Sequence, residues 1–327
     1  MKYNEFEIIS NFFNKHQKID KNLIKGIGDD TALIKIPKKN VLAISTDTLV
    51  EGTHFFKNIH PKNLAYKTIA VNLSDLAAMG ALPKWMTLSI TMPKVDSEWL
   101  KCFSQSFFQI LNQYKITLIG GDTNCGPLSI TPSVYGLIKG SKTLLRKNAK
   151  EGDLIYVTGY LGESAAGFFL LQKKKYPINI KVRNYLIRKH LNPTPRVSEG
   201  IILRNFANSA IDISDGLISD LGHILEESQC GADIELNKLP ISKNLINNFK
   251  KNNYFNWSLY FGEDYELCFT ISKKNIKKLN SAIKNKLIQC KHIGYITSKK
   301  RGFNLMQNKK KINFKKIGFN HFDVNNF

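Results

Sequence analysis

At 327 residues with 43% hydrophobic content, the chain has room for two ordinary domains, and no apolar run approaches the ~18 residues of a membrane span. The excess of 48 Lys and Arg over 26 Asp and Glu, a formal charge of +22, admits a nucleic-acid binder, but the lysines are spread along the chain and no nucleic-acid motif accompanies them. Five cysteines without a C-x-x-C give no disulfide framework or zinc site, and the N-terminus lacks a signal-peptide pattern, so a cytoplasmic protein is expected, with neither membrane nor nucleic acid as partner.

In chain order, NVLAISTD (40–47) predicts a strand leading into a polar loop. Residues 62–80 place Leu64, Ala65, Ile69, Leu73, Leu76 and Ala77 on one helical stripe that stops at Gly80. Pro83 opens the strand WMTLSITM, and Asp96 or Ser97 can cap a helix over 98–114. ITLIGGDT predicts a strand running into a glycine turn, and LSITPSVYGLI another strand. The polar link in 146–162 marks a domain junction before the strand LIYVTG. Helices over 162–173, 180–190 and 196–206 follow, then the strand-like AIDIS, a helix over 217–229, and the strands ADIEL, ELCFTIS and HIGYIT. Interleaved strands and helices make the class α/β or α+β.

The scarce acids recur inside motifs of small residues: GIGDD (Asp29, Asp30), STDT (Asp47), NLSD (Asp75), GGDT (Asp122), DISDG (Asp212, Asp215) and FGED (Glu263, Asp264). Acids that merely solvate a surface would be scattered among lysines on helix faces. One such Asp alone reads as a cap or turn residue, and Asp215 could be only the N-cap of the helix after it. Six motifs sharing one grammar point instead to divalent metal and phosphate. Magnesium takes oxygen ligands and keeps waters and substrate phosphates in its shell. Gly28, Gly120, Gly121 and Gly216 let the backbone approach a phosphate, while Ser45, Thr46, Thr48, Ser74, Thr123 and Ser214 add oxygen donors. There is no P-loop, and GIGDDT only imitates the start of a dinucleotide fingerprint. Of seven histidines only His54 lies in a candidate loop, and no G-x-S-x-G elbow supports a serine nucleophile.

Taken in order, GIGDDTAL, STDTLVEGTHF, KTIAVNLSDLAAMGALP, GGDTNCGPLSIT, GDLIYVTGYLGESAAG, NPTPR, DISDGLISDLGHI, GADIELNKLPIS, FGEDYELCFT and the terminal GFNHF resemble the thiamine-monophosphate kinase family over nearly the whole chain. The combination of NLSDLAAMGA with DISDGL is specific, and TDTLVEGTHF separates this family from its cousins. The resemblance implies a two-domain fold like aminoimidazole ribonucleotide synthetase. Residues 1–145 would form an N-terminal ATP/metal-binding and dimerisation domain, and 146–327 a C-terminal α/β domain completing the active site. It also implies a homodimer, and the last step of thiamine diphosphate biosynthesis: direct in-line transfer from ATP to thiamine monophosphate with several Mg2+ ions. No general base or covalent nucleophile is then expected. By motif, the resemblance implies magnesium at Asp30, Ser45, Thr46, Asp47, Asp75, Asp122, Asp212 and Asp215. It implies ATP at Gly121, Asp122, Arg146 and Ser214, and thiamine monophosphate at His54, Glu263 and Phe319.

The chain departs from the family pattern at Thr53, Asn124, Cys125, Asn148, Phe261 and Phe319; none of these is an implied metal ligand. Alternatives are another ATP-dependent enzyme of the same superfamily, aminoimidazole ribonucleotide synthetase or selenide, water dikinase. The latter wants a reactive Cys or selenocysteine near a glycine-rich N-terminus, whereas the first cysteine here is Cys102. A basic nucleic-acid-binding protein gives no reason for the repeated acidic loops.

Overall fold

The computed structural model describes residues 4–14, 20–140, 142–172 and 176–314. The chain divides into two compact units: Met1–Leu76 with Ala81–Ser141, and Ala77–Gly80 with Lys142–Phe327. The sequence reading put the break at 145/146; contacts put it at 141/142 and give four residues at a helix end to the second unit.

In the first unit a short helix α1 (Glu5–Ile8), continued by a π-helical turn over Ile9–Phe13, precedes strands β1 (Leu23–Lys25), β2 (Leu33–Ile34), β3 (Asn40–Thr46) and β4 (Leu49–Val50). Then come α2 (Pro61–Ala78), β5 (Leu82–Met92), α3 (Ser97–Tyr114), β6 (Thr117–Cys125) and β7 (Ser129–Lys139). The main sheet has the order β3-β7-β5-β6, with β4 added to β7 and β1–β2 as a separate antiparallel pair. Only β5–β6 is parallel, because α3 supplies the crossover that a parallel pair requires. One core cluster joins Trp85, Ile119 and Leu137 of this sheet to Leu23, Ala32, Ile34, Leu42 and Tyr135.

Helix α2 starts at Pro61, whose missing N–H costs nothing in a first turn. It ends where Gly80, at φ 67°, takes the left-handed conformation and Ala81 N donates to Leu76 O at 2.8 Å. All six stripe residues predicted for it are buried, but so are Lys67, Thr68, Asn72 and Ser74. The helix is therefore enclosed on nearly every side rather than amphipathic. Asp96 caps α3, its Oδ1 accepting from Glu98 N at 3.1 Å and Trp99 N at 3.0 Å.

The glycine turn expected after ITLI is corrected. β6 runs through Gly120 and Gly121 to Cys125, paired with β5 as Leu88↔Gly121 and Ser89↔Asp122. The glycines serve close approach instead: a Cβ on Gly121, at φ 155°, would sit 1.9 Å from Leu88 O.

The second unit begins with β8 (Leu154–Thr158), α4 (Glu163–Leu171), α5 (Ile180–Leu191), α6 (Val197–Leu203), β9 (Ser209–Asp212) and α7 (Leu217–Glu227). It continues with β10 (Gly231–Glu235), α8 (Lys243–Asn248), α9 (Lys251–Tyr260), β11 (Leu267–Ile271), α10 (Ile276–Lys284), β12 (Cys290–Thr297), β13 (Phe303–Gln307) and β14 (Lys310–Ile312). Its seven-stranded sheet has the order β14-β13-β10-β12-β8-β11-β9, antiparallel except for β10–β13. Its principal core gathers Ile155, Val157, Ile211, Ile213, Leu217, Leu221 and Ile293. A second cluster, around Ala166, Leu186, Leu245 and Trp257, packs α4, α5, α8 and α9.

β9 and β11 lie together at one edge, Asp212 opposite Leu267. This puts the DISDG loop beside the FGED loop.

Candidate active site

In the first unit the end of β3 meets the middle of α2. Ser45 Oγ donates to Asp75 Oδ2 at 2.5 Å, and Asp47 N donates to Asn72 Oδ1 at 3.2 Å. Asn72 is itself held, its Nδ2 donating to Thr68 O at 3.0 Å inside the helix. Four oxygen-bearing positions of STDT and NLSD are thus locked to one another. Thr46 is not part of this group through its side chain. Strand alternation turns it to the other face, where its hydroxyl donates to Ser133 Oγ at 2.7 Å.

A cavity of about 820 Å³ in the same unit brings GIGDD and GGDT together. Asp29, Asp30, Gly121 and Asp122 line its polar part, and Phe6, Phe13 and Leu88 its apolar part. Asp122 is fixed by Thr123 N, which donates to Oδ1 at 2.9 Å, and by the Asn124 amide, which donates to Oδ2. Asp29 pairs with Lys25 at 3.4 Å.

His54 closes a turn that starts at Val50. His54 N donates to Val50 O at 2.9 Å, and Val50 N donates back to His54 Nδ1 at 3.0 Å. Gly52, at φ 82°, permits the reversal, and Lys67 Nζ donates to His54 O at 3.2 Å.

In the second unit the DISDG and FGED loops are stitched backbone to backbone. Ile213 N donates to Glu266 O at 2.8 Å, Tyr265 N to Ile213 O at 2.9 Å and Glu263 N to Ser214 O at 2.8 Å. Glu263 and Tyr265 take positive φ values, 63° and 51°, which non-glycine residues adopt at a cost. Asp264 between them offsets that cost. It accepts Gly162 N at 2.7 Å and Ser164 N at 3.2 Å, the free donors at the start of α4. Desolvation pushes the Asp264 carboxyl up to about 8 against these two bonds, and the charges of Glu266 and Glu163 add to the rise. Glu263 reaches His190, Oε2 to Nδ1 at 3.2 Å; the same nitrogen lies 3.1 Å from Ser164 Oγ.

Asp215 is not the N-cap of α7. Gly216 holds that position, and Asp220 Oδ2 reaches back to accept from both Asp215 N and Gly216 N at 3.0 Å. Burial first, then the charges of Asp215 and Asp212, push the Asp220 carboxyl up to about 8. The acid before the helix is thereby released from capping, and a neighbour does that work.

Arg146 is exposed on a 3-10 turn whose main chain is tied to the C-terminal end of α7, Ser228 Oγ donating to Arg146 O at 2.6 Å. Ser214 lies at the other end of that helix, so the two main-chain segments are about 16 Å apart at 1.5 Å per residue. Phe319 lies outside the described residues. Among the described residues no three His, Cys, Asp or Glu side chains are gathered as a ready-made metal cluster.

Sequence reasoning missed Lys67, Asn72, His190 and Asp220 as supporting residues. Their signal is a polar residue inside an apolar helical run, which a stripe count discards as interruption. Two half-buried thiols are held in the protonated form. Desolvation, then Asp153, pushes Cys230 up to about 11, and desolvation pushes Cys290 to about 12.

Two sheet-based units that carry acids and glycines on strands, on a buried helix and on the loops between them, without a P-loop, define a class. The first unit matches the N-terminal domain of AIR synthase related proteins over residues 28–138, and the second matches their C-terminal domain over 150–304. A thiamine-monophosphate kinase of Buchnera aphidicola subsp. Schizaphis graminum is 74% identical over 322 residues, 98% of this chain and 100% of that one. Two solved structures are similar. The thiamine-monophosphate kinase from Stenotrophomonas maltophilia K279a has a TM-score of 0.82 at 35% identity, covering 94% of this chain and 96% of that one. AaThiL complexed with AMPPCP and TMP has a TM-score of 0.77 at 30% identity, covering 98% and 99%. The chain belongs to the thiamine-monophosphate kinase family.

Proposed function

We propose that this chain transfers the γ-phosphoryl group of ATP to thiamine monophosphate, giving ADP and thiamine diphosphate. The observation that carries this is the end-to-end match, at 74% identity, to a thiamine-monophosphate kinase. The acid-and-glycine loops agree with it at the level of chemistry. The acceptor is a phosphate oxygen, ionised at neutral pH, so no proton has to be removed before attack. The bond from that oxygen to the γ-phosphorus forms as the bond to the β-bridging oxygen breaks, and ADP leaves. The obstacle is repulsion between two anions, and positioning with charge neutralisation meets it.

The residues fit magnesium by the chemistry of their donors: carboxylates, a hydroxyl and main-chain oxygens, all hard ligands. Asp30, Ser45, Thr46, Asp47, Asp75, Asp122, Asp212 and Asp215 would hold it, Thr46 through its main chain. Such an ion supplies positive charge that screens the phosphates from one another. Magnesium takes its remaining ligands from substrate phosphates and water. Gly121, Asp122, Arg146 and Ser214 receive ATP. His54, Glu263 and Phe319 receive thiamine monophosphate, with Glu263 answering the cationic thiazolium ring and the aromatic residue stacking on a flat ring of the substrate. No side chain serves as general base or covalent nucleophile.

A homodimer formed through the first unit, in the cytoplasm, completes the reading. Exposed apolar residues on and beside its sheet, Val41 at 50%, Ile44 at 60% and Leu82 at 43%, support the dimer. Five free cysteines accord with a reducing compartment. No described helix is long and apolar enough to cross a membrane.

The test is direct. Purified protein with Mg-ATP and thiamine monophosphate should yield thiamine diphosphate and ADP in equal amounts by chromatography, and EDTA should stop the reaction. ATP consumption without thiamine diphosphate would overturn the assignment.

A further inference from the structure

Lys67 sits in the middle of α2 with 1% of its surface exposed, among the largest fully buried side chains of the protein. A lysine so far from water is rare, because an ammonium taken out of solvent needs strong acceptors in exchange. One of them is the main-chain oxygen of His54, 3.2 Å from Nζ. The turn that His54 closes is fixed from the other side as well. Val50 N donates to Nδ1 at 3.0 Å, and a ring nitrogen that accepts an N–H carries no proton of its own. The neutral imidazole therefore carries its hydrogen on Nε2. His54 presents a donor there, which suits a phosphate oxygen, and not a lone pair, which would suit a metal. Lys67 is shut away from solvent, and its ammonium touches the main chain of the residue read as the acceptor contact.

We infer that Lys67 is a positioning residue of the acceptor site: it pins the His54 carbonyl so that the Nε2–H is held as a fixed donor to the phosphate of thiamine monophosphate. This rests on the reading of His54 as an acceptor contact. Both residues belong to the first unit, and the chain that joins them is short: ammonium to carbonyl, carbonyl to ring. An acceptor-specific effect follows, because neither group belongs to the loops assigned to ATP.

The experiment is a double-mutant cycle on the full-length protein, following KM for each substrate, kcat and melting temperature. Lys67→Met keeps the length and removes the donor. It should raise KM for thiamine monophosphate about tenfold, the scale of a lost charged hydrogen bond, and leave KM for ATP within about twofold. In a His54→Ala background the same substitution should add nothing, since there is no ring left to position. Lys67→Gln, which retains a shorter donor, should fall between wild type and Lys67→Met, and it carries the test if Lys67→Met does not fold. An unchanged acceptor KM in both Lys67 variants overturns the inference, as does an effect that multiplies undiminished in the His54→Ala background. A merely structural lysine would lower the melting temperature and raise both KM values together. If His54→Ala alone leaves the acceptor KM unchanged, the assignment of His54 falls first and the inference falls with it.

Discussion

Gly262→Ala tests whether the two loops of the second unit work as one body. A Cβ at Gly262 would lie 1.7 Å from Ser214 O and 2.5 Å from Ser214 C, where ordinary contact begins at 3.4 Å. Both obstacles are backbone, so no side-chain rotation relieves them. The FGED and DISDG loops must part by roughly 1.3 to 1.7 Å, from contact limits of 3.0 and 3.4 Å. That opening removes the Glu263 N to Ser214 O bond of 2.8 Å and strains the Tyr265 N to Ile213 O bond of 2.9 Å. Two hydrogen bonds with partly buried partners place the stability loss at about 2–4 kcal/mol. The catalytic loss should exceed what that implies, because a displacement near 1 Å at the reacting groups costs on the order of 100-fold. Turnover would be followed by thiamine diphosphate formation at saturating substrates, and stability by urea titration. Gly222→Ala is the control: this glycine sits inside α7 with nothing within 4 Å of a new Cβ, so the change should be neutral or stabilise by up to about 1 kcal/mol with turnover intact. A Gly262→Ala protein that keeps turnover within threefold of wild type would refute the coupling of the loops.

Asp75→Asn should reduce turnover at least 100-fold with an unchanged melting temperature, since Asn still accepts from Ser45 Oγ but no longer offers a negative ligand; near-normal turnover at saturating magnesium would count against the metal assignment. Arg196→Met should cost about 3–5 kcal/mol by denaturant titration, because Arg196 Nε and Nη2 each donate to Glu266 at 2.6 Å and the substitution strands that buried carboxylate; adding Glu266→Gln should recover part of the loss. Asp264 gives a pH signature. Its folded pKa of about 8 lies above the ordinary carboxyl value of 3.8, so the folded state holds a proton that the unfolded state releases. This contribution to stability is full below about pH 4 and is lost as pH rises to about 8, and the metal-free protein should melt progressively lower across that window. Asp264→Asn should remove part of the trend in a thermal-shift series, the rest belonging to Asp220, whose carboxyl is likewise pushed up to about 8; an equally steep trend in the variant would show that Asp264 does not contribute.

The long elements were legible because their apolar residues recur with a period in the sequence. The stripe in 62–80 and the apolar runs of β3, β5 and β7 each carry enough residues for packing to dominate local preference. The two- and three-residue strands β1, β2 and β4 carry no period at all. α8 and α9 escaped notice because KNLINN and KNNYFNWSLY mix Asn and aromatics without a stripe, and tertiary contacts of Leu245 and Trp257 impose the helix. Acids were readable as a set, since each sits among small residues after an apolar run. Which of them face a ligand and which brace a loop was not readable. Asp215 and Asp220 both lie in SDGLISDL, and only the fold makes the second the support of the first. Thr46 and Ser45 likewise differ only in the face their strand turns outward.

The position of β8 at the heart of the second sheet bears on how the protein is made. A ribosome releases β8 long before its neighbours β11 and β12, and Thr158 meets Leu267 across a sequence separation of 109 residues. At about 5–20 residues per second, the apolar strand Leu154–Thr158 waits roughly 5 to 20 s for its first partner. During that interval the half-made unit displays an unpaired strand with high β-propensity, the sort of segment that sticks to its like on neighbouring polysomes. The first unit closes its own sheet by Lys139, but there too an edge strand waits: β3 pairs with β7, and Thr46 meets Ser133 across 87 residues. Translation speed and chaperone supply should therefore bear on the yield of both units, with the longer wait falling on β8 of the second.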